Sequence, residues 1–393
     1  RRCNEHERLR EVTSHSNEHR TTVAPIGTNS PEHRHSFEYQ AMGQTFSSSG
    51  GPSAECLLAA SMAGEIDQVK SLLGQLIADS DNRSSLASCV NKTDPSGNAA
   101  IHGAVFGGHL EVLDFLCSCG ADLLLKNSLG CSPLWIAAGY DKINCLEFLS
   151  EQLNVVGKWE EALMHTNTSG DTPFLAAASK GNIAACKSLL SLVEKYSAND
   201  GTSDESSWEL KKEMVRAANN GGDTPLKVAV GAGHVELVSY LLQVDDEICQ
   251  KIENNDLQSR CINTKNNAGL TPLIVACERN NVDIVKFLLE EHGAGITCDA
   301  KGRSPLAVAS FCGCKDVVEY LLSNQTSAAL MNDVDENGCT PLWLAARTGD
   351  LTMVKLLIDA GADATIRNNE GLTTEEVSRK FKKEKVEQYF ADK

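Results

Sequence analysis

The sequence predicts an all-α protein, a solenoid of stacked helix-turn-helix units joined by hairpin loops. Three observations predict it. The pattern Gly-x-Thr-Pro-Leu-x-x-Ala recurs along the chain. Most copies are followed by a Gly, and then by apolar residues at helical spacing. Aromatics make up only 5% of the 393 residues while Ala, Leu and Val are plentiful, and small helix formers suit closely stacked helices better than a large sheet core.

The first unit is "ECLLAASMAGEIDQVKSLL" at 55–73, which lacks Thr-Pro but keeps Leu-Ala-Ala and the Gly-to-Val spacing. A degenerate copy, "GNAAIHGA", starts at Gly97. Full copies start at Gly130, Gly170, Gly222, Gly269, Gly302 and Gly338. Between Ala100 and Pro341 the equivalent positions are 33, 40, 52, 47, 33 and 36 residues apart, a base period of 33 with insertions. Thr or Ser caps the first helix through its side-chain oxygen. Pro sits in the first turn, where its missing N–H costs nothing. Gly108, Gly181, Gly233, Gly313 and Gly349 end that helix by tolerating positive φ. The second helix carries apolar residues at i, i+3 and i+4, as in Leu351, Val354, Leu357 and Ile358. In the last stretch, 368–393, charged residues replace apolar ones, as a terminal cap facing water requires. Units are expected to begin near 53, 94, 127, 167, 219, 266, 299 and 335.

These motifs resemble the ankyrin repeat, whose period is 33 residues and whose signature is Thr-Pro-Leu-His-x-Ala. The resemblance covers residues 53–393. No such unit can bury both its helix faces alone, so the stack shares one core. Insertions fall at 74–92, 151–165, 192–217 and 244–264 and are read either as tolerated drift or as functional loops that lengthen the second helix or add a small one. Residues 1–52, rich in Ser, His, Arg and Glu, are read as a disordered polar tail. Five of the ten His lie there, and a solvated tail outweighs a metal-binding one because no fold supports a ligand pair.

The net charge of −17 sits entirely in residues 53–393. An acidic folded region repels phosphate backbones and anionic lipid, so neither nucleic acid nor membrane is expected as a partner. The fifteen Cys show no CxxC spacing and sit mostly among apolar neighbours, so they are read as reduced core residues in a cytoplasmic protein, with the nucleus as second compartment. No Walker loop, HExxH or GxSxG occurs, and no nucleophile has a base beside it. His102, His109 and His234 fit slots that satisfy backbone groups, and Asp245/Asp246 read as a solvated pair. The chain is expected not to be an enzyme, to need no cofactor or metal, and to be monomeric by itself.

What the resemblance implies is a surface: hairpin tips and first helices lining a groove that binds partner proteins. The corresponding slots hold Phe106, Leu129, Tyr140, Lys180, Glu278, Arg279, Lys301, Arg303, Phe311, Glu336, Asn337 and Arg347. Trp135 and Trp343 stand where the family has His, either as partner anchors or as packing between units. Aromatics and Arg are common interface anchors, and basic residues cluster near 279–303. The expected function is a non-enzymatic scaffold or adaptor. The alternative is the targeting arm of a larger enzyme such as a ubiquitin ligase, kinase or methyltransferase. A weaker option is an intramolecular role in which the tail masks the groove.

Overall fold

The computed structural model describes residues 52–79, 85–199, 204–252, 260–324 and 330–392. The tail read as disordered therefore lies outside the described residues, apart from Pro52, as do parts of three insertions.

Helical hairpins follow one another along the described chain. The first helices are Ala54–Ala63, Ala100–Gly107, Pro133–Gly139, Pro173–Lys180, Pro225–Ala232, Pro272–Glu278, Pro305–Cys312, Pro341–Thr348 and Thr374–Lys380. Their starts follow from cap chemistry. Ser132, Thr172, Thr224, Thr271, Ser304 and Thr340 each accept an amide three residues on, and each is followed by Pro. Ala99 has no hydroxyl; there the Nδ1 of His102 accepts the Ala99 amide at 3.0 Å instead. Helix ends use Gly in the left-handed region where Gly is present, and Asp141, Asn280 and Lys382 take the same conformation at φ of 55°, 55° and 53° where it is not.

Each first helix packs on the next in an unbroken series. One apolar core runs from Leu57 to Val386. No strand occurs among the described residues, only an isolated bridge between Thr93 and Ala99. The fold is thus the all-α solenoid that the repeat spacing predicts.

The second helices are less regular. Ile183–Asn199 and Val235–Lys251 do not simply stack: the inserted helix Asp204–Arg216 packs against both. A 3-10 turn, Cys261–Asn263, then bridges Val235–Lys251 and Pro272–Glu278. Asp245 ties these pieces together. It is 0% exposed. Its Oδ1 accepts Nε and Nη2 of Arg216, each at 2.8 Å, and its Oδ2 accepts the Cys261 amide at 2.9 Å. Asp246 pairs with Arg260 and lies 3.8 Å from Nδ1 of His292. The reading of Asp245/Asp246 as a solvated pair is therefore corrected. Two inserted segments bring Arg216 and the Cys261 amide to Asp245, and a buried carboxylate persists only with such partners.

Candidate protein-binding face

The hairpin tips form a polar ladder. Asn127, Asn167, Asn219, Asn266, Asp299, Asp335 and Asn368 each accept, through Oδ1, the amides two and four residues on at 2.8–3.1 Å. Such Asx turns fix each tip from within. Adjacent tips are joined by one backbone hydrogen bond each, from Ser128 to Ser96 through Asn369 to Asn337, at 2.8–3.2 Å. Side chains add rungs: Asn127 to Asn98 at 2.9 Å, Asn219 to Asp171 at 3.0 Å and Asn266 to Asp223 at 2.8 Å. The tips are therefore held in register before any ligand arrives, which lowers the ordering cost of binding.

Each tip leads directly into the N-terminal end of a first helix, and the other candidate residues lie mostly at the opposite, C-terminal ends of these helices. Phe106 and Tyr140, from neighbouring helices, meet edge to face with centroids 4.8 Å apart. Lys180 ends its helix, and Leu129 is half-buried on a tip. Farther along the series, Glu278, Arg279 and Phe311 are half-buried, while Lys301, Glu336, Asn337 and Arg347 are exposed. Arg347 places its guanidinium 6.0 Å from the Trp343 ring and 5.3 Å from the Phe381 ring. Arg279 and Arg303 both lie close enough to the Cys312 thiol to favour its ionisation, against burial and Glu278, which push its pKa up more strongly.

Two expectations change in character. Trp135 and Trp343 are only 5% and 4% exposed. Their indole N–H groups donate to the carbonyls of Asp171 and Leu372 in the next hairpin, at 3.0 and 3.2 Å. They join units rather than present a surface. His102 does the same from the same slot, its Nε2 donating to the Leu125 carbonyl at 3.0 Å. Arg303 is partly committed as well, with Nε 2.8 Å from Asp299 Oδ2 in its own hairpin and its guanidinium 5.8 Å from the Phe311 ring. One further candidate emerges from the structure. Phe381 is 41% exposed and stands in the cap where Tyr140 and Arg279 stand in their units; that shared slot was the available signal.

Among the described residues no group of three or more His, Cys, Asp or Glu is arranged to hold a metal ion. No described helix is long and apolar enough to cross a membrane.

Family models describing ankyrin repeats match residues 55–158, 155–254 and 247–331, and a single-repeat model matches 337–369. The chain is an ankyrin-repeat protein. Curated relatives agree. The human transient receptor potential cation channel subfamily A member 1 is 25% identical over 276 residues, 70% of this chain and 18% of the channel subunit. The ANK repeat-containing protein nipk-1 of Caenorhabditis elegans is 29% identical over 221 residues, 53% of this chain and 27% of that protein. The putative ankyrin repeat protein FPV223 of fowlpox virus is 27% identical over 147 residues, 37% of this chain and 84% of its own length. The chain thus spans under a third of the first two relatives. Ankyrin repeats are in general protein–protein interaction modules.

Proposed function

We propose that this chain is a non-enzymatic scaffold or adaptor. It holds a segment of another protein along the hairpin tips and the ends of its first helices. The observation that carries this reading is the pairing of a pre-set polar ladder at the tips with a row of part-exposed aromatics and arginines at the ends of the first helices: Phe106, Tyr140, Arg279, Phe311, Arg347 and Phe381. Such side chains supply contact area and charge on a scaffold that need not reorganise. Affinity purification with the wild type and with a Tyr140→Ala, Arg279→Ala, Arg347→Ala variant tests it. Loss of one or more specific partners from the variant is the expected result; identical partner lists would remove this face from consideration.

A second reading makes the array the binding arm of a longer protein, an enzyme among the options. The small share of the first two relatives that the chain spans favours it. A full-length transcript decides this: further coding sequence bearing a catalytic signature supports an enzyme, and none sets it aside. All fourteen described Cys are free, which suits a reducing compartment such as the cytoplasm or nucleus. Imaging of the tagged full-length protein tests that placement.

A further inference from the structure

The described residues include seven arginines, and five of them face a carboxylate: Arg216 with Asp245, Arg260 with Asp246, Arg303 with Asp299, Arg367 with Glu376 and Arg379 with Glu375. In a chain of net charge −17 that is the expected condition. Arg279 and Arg347 are the exceptions. Neither has a carboxylate partner among the described residues, and Glu278, next to Arg279 in sequence, makes no ion pair with it. Nε of Arg279 is moreover buried with no hydrogen-bond acceptor, a donor left unsatisfied at a cost. Arg347 has its guanidinium near the Trp343 and Phe381 rings, contacts that orient it without neutralising it.

Both exceptions stand at the C-terminal end of a first helix, Arg279 as the cap after Glu278 and Arg347 in the last turn of Pro341–Thr348. The helix between them contributes Phe311, and the helix beyond Arg347 contributes Phe381. We propose that Arg279 and Arg347 are paired anchors for an acidic segment of a partner protein, which lays its carboxylates on the two guanidinium groups and its apolar side chains against Phe311 and Phe381. This rests on the protein-binding reading above and narrows it to one charge class and one half of the face. Arg fits the task because its planar fork meets a carboxylate with two parallel hydrogen bonds. The anchors are two helix steps apart. At about 9 Å per step that is roughly 18 Å, so in an extended segment rising about 3.3 Å per residue the two acidic residues lie about five or six positions apart.

The probe is a phage-displayed library of random 12-residue peptides, selected on the full chain. Selected peptides are expected to carry Asp or Glu at that spacing with an apolar residue between. Synthetic versions are expected to lose affinity by about tenfold or more on Arg279→Glu or Arg347→Glu, and by less on the corresponding Gln variants. They are expected to weaken as salt rises. Lys355→Glu, an equal charge reversal on the second helix Leu351–Asp359, is expected to leave binding unchanged. Circular dichroism of each variant excludes unfolding. Selected peptides that lack acidic residues, or that bind the Arg279→Glu and Arg347→Glu variants as well as the wild type, overturn the proposal but leave the protein-binding reading standing. Failure to select any peptide counts against both.

Discussion

The layer of first helices and the layer of second helices answer to different rules. In the first, the tips from Ser96 to Asn369 are bonded each to the next, and six of the nine described first helices start with the same Thr-Pro or Ser-Pro cap. In the second, helices range from five to seventeen residues, Val282–Lys286 continues as a π-helical turn over Phe287–Glu291, and a whole helix is wedged between two others. Insertions accumulate where no ladder has to stay in register, and the closure cost of a longer loop there is small. The difference teaches where to look for each property: the regular layer holds the proposed partner face, and the irregular one depends on individually placed contacts.

The sharpest way to break this contrast lies in the irregular layer. Asp245→Ala leaves Arg216 half-buried without its carboxylate and the Cys261 amide without its acceptor. A loss of about 3–5 kcal/mol is expected in chemical denaturation, with a separate early transition for the middle of the array. A loss under about 1 kcal/mol would mean the insertions are not tied through Asp245.

Next in size is a pH effect at the degenerate unit. Burial, opposed by hydrogen bonds to backbone groups, lowers the pKa of His102 from 6.5 to about 4. The neutral ring therefore contributes stability that is fully present above pH 6.5 and is lost as pH falls from 6.5 towards 4. Up to about 3 kcal/mol is involved. Thermal unfolding across that window is expected to fall more steeply for the wild type than for His102→Leu, which takes up no proton; parallel slopes would contradict this.

Smaller changes sharpen the regular layer. Asn219→Ala removes the acceptor for the Gly221 and Asp223 amides and the rung to Asp171, and about 1–2 kcal/mol is expected. Thr340→Ala removes one helix cap and is expected to cost about 1 kcal/mol. Both are read by denaturant midpoint, and both should leave the transition single.

The regular layer was legible in the sequence because its signals are local. A hydroxyl three residues before the amide it accepts, a Pro after it and a Gly at the turn all fall within one unit, as Thr172, Pro173 and Gly181 show. The all-α solenoid follows from repeating them. The Asp245 cluster was not legible. Its partners are Arg216, 29 residues away, and the Cys261 amide, 16 residues away, and only the packed insertions bring them together. On the candidate face, the slots holding Tyr140 and Arg279 could be read by alignment, but the inward turn of Trp135 and Trp343 depends on the carbonyl offered by the following hairpin. Arg303 held a readable clue, since Asp299 stands four residues before it across one tip. Phe381 was hidden inside "RKFKKEK", whose charges suggested only a solvated end.

The account turns on which layer a partner touches. Hydrogen exchange on the full chain, alone and saturated with a partner recovered by affinity purification, measures this directly. Slower exchange confined to the hairpin tips and the first helices between Ala100 and Lys380 is the predicted result. Protection concentrated instead on the second helices or on the inserted helix Asp204–Arg216 would contradict it.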